Sequence, residues 1–349
     1  MLKNTDSEFV HRFWNCEISN QTEKRRKVIY RVHGIFIQTN KIIPAWGSFV
    51  PYESRNLVID CRFEFADYCP EWVQESYKDG NEVLIGDDGE GRRIAIWDDE
   101  YIRMRCLDQR IGAYGFELKE DGSHVICYHD DSAEIDNIDA WINGLICSAI
   151  LELSGKTALH CSAVKISSGT VIFLGKSGVG KSTMALYFGL RGHPILGDDI
   201  LATQRQGNTL KAVGAFPTMN LCPSSLKITD SHLFHQTAYD LGDDKKLFSF
   251  ESLGIKFHAE ANAFAGICFL HPSDANRLNV TEEKPASALK DLISNLGCKS
   301  VLYRKHVINK VLADLSILAQ SVPIFHFHVP RGDTMPDDIY SEIITRFSS

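Results

Sequence analysis

The chain lacks the features that mark secreted, membrane and zinc-binding proteins. Its ten cysteines are scattered without a single C-x-x-C pair, which argues against a zinc site and against a disulfide framework. No apolar run approaches the roughly 20 residues that cross a bilayer, and the amino-terminal residues contain no apolar signal core. We therefore expect a cytoplasmic protein with reduced thiols and no membrane partner.

Positive charge is also in short supply. The chain has 37 Lys and Arg against 45 Asp and Glu, for a net charge of −8. Extended nucleic-acid binding needs a basic surface, so we expect no nucleic-acid partner. The basic cluster at residues 24–27 is interpreted as a solvated turn. With 349 residues, 44% of them hydrophobic, the chain is long enough for two folded domains.

Residues 1–135 predict a β-rich N-terminal domain. Apolar and polar residues alternate at 27–33 and 92–97, as in half-buried strands. Turn-forming residues at 86–91 and 120–123 separate further apolar runs. We find no catalytic constellation here, and substrate recognition is the role left open for this part.

A second domain is predicted over residues 136–349. It begins with a helix that Asp139 caps and that ends at Ser154 and Gly155. A strand over residues 157–166, a turn at 167–169 and a strand over 170–174 follow. The last of these strands runs directly into a glycine-rich segment.

That segment, residues 175–183, satisfies the phosphate-binding pattern G-x-x-x-x-G-K-[ST] in full. Glycines allow successive N–H groups to point into one concavity, and the helix that follows adds its N-terminal dipole. Lys181 is expected to reach the β and γ phosphates, and the Ser182 hydroxyl to bind Mg²⁺. The predicted nucleotide-binding residues are Gly175, Ser177, Gly178, Val179, Gly180, Lys181, Ser182 and Thr183.

Two further polar features surround this loop. An apolar strand at 195–197 delivers Asp198 and Asp199, and such a pair can divide metal binding from proton acceptance. Upstream, His160 lies on the strand before the loop hairpin. Taken alone, a histidine inside a strand is more often a hydrogen-bonded core residue than a catalyst.

Together these segments resemble the catalytic core of HPr kinase/phosphorylase. The residues that carry the resemblance are His160 to Val164, the loop, and the R-G-H-x-x-x-x-D-D segment at 191–199. The resemblance implies an α/β fold, an HPr-kinase-like P-loop domain with a mixed sheet, and ATP and Mg²⁺ as cofactors. It also implies that Asp198 is the base and Asp199 a metal ligand, although the two could exchange roles. His160 would then be an active-site residue that orients the aspartates or the phosphate.

Beyond residue 200 the resemblance weakens. Residues 321–333 are similar to the late strand and phosphorolysis loop of that family, but they retain at most Arg331 as a phosphate contact. Lys245 and Lys246 lie where a loop over the site is expected and are further candidates for phosphate contact.

The leading hypothesis is a kinase that transfers phosphate to a serine hydroxyl on a ribosomally made peptide precursor. It rests on a likeness to lasso-peptide precursor kinases. The alternatives are a serine kinase acting on a phosphocarrier protein and a nucleotide-binding regulator without transfer activity. The partners would be a nucleotide and a peptide or small protein, and homo-oligomerisation stays open.

Overall fold

The computed structural model describes most of the chain, and every structural statement below refers to the described residues. These are 27–43, 46, 57–74, 82–87, 91–97, 100–108, 112–129, 138, 141–228, 239–240, 246–330 and 336–347.

The N-terminal part is an eight-stranded sheet, as its alternating sequence predicts. Its strands run in the order β1-β2-β3-β8-β7-β6-β5-β4, and all neighbours are antiparallel except β2–β3 and β3–β8. One face is buried: in β3, the side chains of Cys61, Phe63 and Phe65 point inward. The strands are β1 Val28–Val32, β2 Ile35–Thr39, β3 Cys61–Phe65, β4 Glu82–Asp87, β5 Gly91–Trp97, β6 Tyr101–Asp108, β7 Gly112–Lys119 and β8 His124–His129.

The two predicted turns connect antiparallel strands of this sheet. The first lies between β4 and β5, with residues 88–90 outside the described part. The second joins β7 to β8, where Asp121 Oδ1 accepts hydrogen bonds from the backbone N–H and the hydroxyl of Ser123 at 2.9 and 2.6 Å. An aspartate at this position closes the turn through its own side chain.

The predicted first helix is present, with an altered beginning. A π-helical turn, Ile142–Ile146, precedes α1, Cys147–Leu153, and Asp139 lies outside the described residues. The Ser148 hydroxyl donates to the Gly144 carbonyl at 2.7 Å, and such local competition accompanies the widened turn. The helix ends at Ser154 and Gly155 as predicted, with Gly155 at φ 79°.

A nine-stranded mixed sheet forms the second part. Its main path is β12-β10-β11-β18-β14-β13-β9, and β20 pairs with β18 and β19. The strands are β9 Ala158–His160, β10 Ser162–Ile166, β11 Gly169–Leu174, β12 Ile195–Gly197, β13 Ile200–Gln206, β14 Thr209–Val213, β18 Asn262–Ser273, β19 Asn279–Glu282 and β20 Ile324–Pro330. A small sheet holds β15 Thr218–Leu221, β16 Tyr239–Asp240 and β17 Lys246–Ser249.

The prediction of one strand over 157–166 is wrong. The segment breaks at Cys161, so β9 pairs with β13 while β10 pairs with β11 and β12. The backbone N–H of Cys161 donates instead to the Asp199 carbonyl at 3.0 Å. Apolar periodicity could not reveal the break, because Cys161 is as buried as its neighbours.

Helices cover both faces of the parallel strands β11, β18 and β20. They are α2 Lys181–Leu190, α3 Pro285–Ser294, α4 Lys305–Ser321 and α5 Pro336–Phe347. Alternate residues of each strand face opposite helices: Phe269 joins the core that contains α3 and α4, while Leu270 joins the core of α2 and α5. The first core also includes buried residues of the N-terminal sheet and α1. Within the described residues, no helix is both long and apolar enough to cross a membrane.

Candidate active site

The predicted phosphate loop connects β11 to α2. Gly175, Gly178 and Gly180 have φ values of 141°, 78° and 103°, a region that side chains with a Cβ rarely adopt. Gly175 is also required by space, because an added Cβ would lie 2.6 Å from the Leu270 carbonyl oxygen. The loop therefore has the backbone that cradles an anion at a helix N-terminus.

Lys181 opens α2 and lies over this loop. Its side chain is buried, and its Nζ donates to the carbonyls of Gly175 at 2.8 Å and Lys176 at 3.2 Å. Ser177, Gly178 and Val179 form the rim of the loop, with Ser177 and Gly178 exposed and Val179 half-buried. A cation is thus held next to the concavity, as recognition of a phosphate chain requires.

Three consecutive residues, 160–162, bind the two aspartates that follow β12. His160 Nε2 lies 3.1 Å from Asp199 Oδ1. The Cys161 backbone N–H donates to the Asp199 carbonyl, and the Ser162 hydroxyl donates to Asp198 Oδ1 at 2.5 Å. The residues at the strand break therefore contact both aspartates through their side chains, and Asp199 also through its backbone carbonyl.

Asp198 is buried and fixed. Its Oδ2 accepts the backbone N–H of Asn220 at 3.1 Å, and the Ser182 hydroxyl also hydrogen-bonds its carboxylate. Burial raises the pKa of Asp198, and the negative charge of Asp199 adds to this, while the bonds from Ser162 and Ser182 lower it. This carboxylate is thus tied to the helix that carries the phosphate loop.

Asp199 differs from its neighbour in both exposure and backbone. Its side chain is 36% exposed, and that of His160 is 39% exposed, so the pair is open to solvent. Asp199 has φ 80°, the left-handed region that aspartate tolerates better than most residues. Such strained residues cluster at functional sites.

Other predicted residues lie apart from these contacts or outside the described chain. The Thr183 hydroxyl, one of the predicted nucleotide-binding groups, bonds the Ser225 hydroxyl at 2.7 Å. Lys246 begins β17, half-buried and opposite Leu221 in the register. Lys245 and Arg331 lie outside the described residues.

The R-G-H part of the family motif has a structural use. The Arg191 guanidinium lies 3.6 Å from the Tyr187 ring centroid and 2.6 Å from Asp337 of α5. His193 Nε2 lies 3.0 Å from the Tyr340 hydroxyl on the same helix. These residues hold the last helix against the end of α2 and make no described contact with the phosphate loop.

Three residues at the site were missed by sequence reasoning. Ser162 lies on a buried strand, where a hydroxyl needs a partner, and that signal was readable. Asn220 contributes a backbone N–H, which no side-chain pattern reveals. Asn295 binds Gly175 through its side chain across 120 positions of sequence, and no local motif announces it.

The donor set fits a hard divalent cation. Asp198 and Ser182 would supply oxygen ligands, and Mg²⁺ in nucleotide sites is held by one or two protein oxygens together with substrate phosphates. Among the described residues, no cluster of three or more His, Cys, Asp or Glu side chains forms a protein-only metal site. The nine cysteines in the described chain are free thiols.

Comparison with known proteins supports the resemblance inferred from the motifs. No protein-family model matches the chain. An HPr kinase/phosphorylase from Exiguobacterium sp. is 28% identical over 132 residues, which cover 34% of this chain and 40% of that protein. The chain thus matches about two fifths of its relative's length. The predicted likeness to the HPr kinase/phosphorylase family is confirmed by this match.

A solved structure, the Hpr(Ser) kinase/phosphatase from Coxiella burnetii, is 15% identical to this chain. The alignment covers 54% of this chain and 88% of that one, with a TM-score of 0.31. At that score the comparison adds nothing to the geometry described above. The mixed α/β architecture predicted from the sequence is confirmed by the sheets and helices of the structure.

Proposed function

We propose that this HPr-kinase-like chain is an ATP- and Mg²⁺-dependent kinase that phosphorylates a serine hydroxyl. The proposed acceptor is a ribosomally made peptide precursor, in the manner of lasso-peptide kinases. The proposed kinase domain spans residues 136–349, and residues 1–135 are proposed to help recognise the acceptor. The proposed place of action is the cytoplasm.

One observation carries the proposal. Residues 160–162 join a buried carboxylate, Asp198, to an accessible carboxylate–imidazole pair, and the Ser182 hydroxyl bonds Asp198 to the helix that follows the phosphate loop. Phosphoryl transfer needs positioning and electrostatic stabilisation on the donor side and a proton acceptor on the other. A site that only bound a nucleotide would not need the accessible carboxylate–imidazole pair.

The donor half comprises the loop N–H groups, Lys181, Ser182 and Asp198. The amides and Lys181 would hold the phosphate chain and stabilise charge on the group being transferred. Ser182 and Asp198 would hold Mg²⁺, which supplies neutralisation of the phosphate oxygens. Asp198 suits this task because its carboxylate is buried and already fixed toward Ser182.

The acceptor half comprises Asp199 and His160, so we propose the exchanged assignment of the two aspartates. Asp199 would take the proton from the serine hydroxyl. As it does so, the serine oxygen bonds to the γ phosphorus of ATP, and the bond from that phosphorus to the β,γ-bridging oxygen breaks. His160, 3.1 Å away, would orient the carboxylate. Asp198 is poorly suited to that role because it is only 2% exposed and both of its oxygens accept protein hydrogen bonds.

A second candidate acceptor is the serine of a small phosphocarrier protein. The name of the curated relative, HPr kinase/phosphorylase, favours this alternative. The resemblance to the family's phosphorolysis loop is weak here, since at most one arginine of that loop, Arg331, is retained. We therefore rank the peptide acceptor first.

The test is incubation of the full chain with ATP and Mg²⁺ and either candidate acceptor, read by intact mass. A gain of one phosphate on the peptide, absent with Lys181→Ala, supports the leading proposal. Transfer to the phosphocarrier protein alone selects the second candidate. Nucleotide binding with transfer to neither acceptor would leave a nucleotide-binding regulator and overturn both.

A matched control is Lys176→Ala, which removes an exposed lysine from the same loop. Lys176 contributes its carbonyl to Lys181, and that carbonyl survives the substitution. We expect Lys176→Ala to keep transfer activity within about threefold of the wild type.

A further inference from the structure

Asn295 lies at the end of α3, between the two halves of the site. It is the C-cap of that helix and is half-buried. The next residue, Leu296, forms an isolated antiparallel bridge with Leu159, the residue before His160. The end of α3 is therefore held against β9, the strand that carries His160.

Asn295 makes one hydrogen bond to each half. Its side-chain Oδ1 accepts the backbone N–H of Gly175, the first residue of the phosphate loop, at 3.0 Å. Its main-chain carbonyl accepts the backbone N–H of His160 at 2.7 Å. A single residue thus links the donor loop to the residue that holds Asp199.

A hydrogen bond within α3 fixes the orientation of the Asn295 side chain. Its Nδ2 donates to the Asp291 carbonyl at 2.7 Å, one turn earlier in α3. With Nδ2 occupied, Oδ1 points at Gly175 in a single orientation. Gly175 itself packs against the Leu270 carbonyl, so the loop is held from two sides at its first residue.

We propose that Asn295 is a positioning residue that sets the separation between the phosphate loop and the His160–Asp199 pair. This inference rests on the proposed kinase function. Displacement of reacting groups by about 1 Å can cost a hundredfold in rate, so a bridge of this kind has a kinetic consequence. A merely structural amide would change stability without changing turnover of the folded enzyme.

The test compares Asn295→Ala with Asn295→Asp in the full chain. Alanine removes the acceptor for Gly175 and leaves the carbonyl for His160. Aspartate retains an acceptor oxygen at the same distance from the backbone but replaces the Nδ2 donor to the Asp291 carbonyl with a second oxygen. We expect Asn295→Ala to lower kcat by about tenfold to a hundredfold. Asn295→Asp should lower kcat less than Asn295→Ala does, because the acceptor for Gly175 remains although the bond to Asp291 is lost, and it should raise the KM for ATP, because its charge repels phosphate.

The control is Asn262→Ala. The Asn262 amide donates to the Thr170 hydroxyl at 2.9 Å, at the opposite end of β11 from the loop. This variant removes a comparable hydrogen bond from the same strand, and we expect its kcat to match the wild type.

Amide hydrogen exchange gives a readout that needs no activity. The Gly175 amide should exchange faster in Asn295→Ala than in the wild type and return toward the wild-type rate in Asn295→Asp. Unchanged kcat in Asn295→Ala, or equal loss of kcat in both variants, would overturn the proposal. If the wild type transfers phosphate to neither acceptor, the proposed function fails, and unchanged Gly175 exchange would then refute the bridge as well.

Discussion

His33 makes the stability of the chain depend on pH in a way that can be calculated. It lies in the turn between β1 and β2, 1% exposed, with its ring 5.6 Å from that of Phe216 in the second part. Within the described chain neither ring nitrogen has a hydrogen-bond partner. Burial lowers the pKa of His33 from 6.5 to about 3.

The sign follows from the lowered pKa. The unfolded chain takes up a proton below about pH 6.5 and the folded chain does so only near pH 3, so acidification favours unfolding in between. Only the two pH units between the unfolded-state pKa of 6.5 and pH 4.5 contribute, so at about 1.36 kcal/mol per unit the change from pH 7 to pH 4.5 should cost about 2.7 kcal/mol through this residue alone. The loss grows until the pH reaches the folded-state pKa.

The assay is urea unfolding at both pH values for the wild type and His33→Asn. Asparagine accepts the left-handed backbone at φ 51° and does not titrate. At pH 7 the variant should be less stable than the wild type, because a buried ring is lost. Its decrease in the free energy of unfolding between pH 7 and pH 4.5 should be smaller than that of the wild type by about 2.7 kcal/mol. Equal decreases for both proteins would refute the reasoning, since the other titrating groups are common to both.

Three further predictions concern the site and its support. Lys181→Ala should abolish transfer, while its urea midpoint stays near that of the wild type; retained transfer would remove the lysine from the mechanism. Asp199→Asn should lower kcat by about a hundredfold or more with little change in the KM for ATP, whereas Asp198→Asn should raise the Mg²⁺ concentration needed for half-maximal rate. The opposite pattern would restore Asp198 as the base. Arg191→Ala should lower the free energy of unfolding by about 1 kcal/mol, because it loses a partly exposed ion pair and a ring contact; an unchanged urea midpoint would contradict it.

The sequence was most informative where chemistry imposes a local pattern. The glycines of the loop, the lysine after them and the aspartate pair after β12 are local signals, and the Ser182 hydroxyl connects the loop helix to Asp198. The alternation in the N-terminal strands predicts their buried face in the same way.

The remaining features depend on contacts between distant segments. The role of Asn295 requires the end of α3 to meet β9 and the loop, and no periodicity encodes that meeting. Nor do the identities of Asp198 and Asp199 distinguish a fixed carboxylate from an accessible one. Their difference comes from Ser162 and Asn220, which the fold brings to one of them alone.

The contacts between α5 and the residues that follow α2 have a consequence for folding during synthesis. The helix that begins at the phosphate loop ends at Leu190, and the residues just after it, Arg191 and His193, contact Asp337 and Tyr340 of α5. A ribosome synthesises those partners about 150 residues after Arg191. The loop helix therefore reaches its complete packing only after α5 has been synthesised, so nucleotide binding would stabilise a chain that includes α5 more than a nascent chain that ends before it.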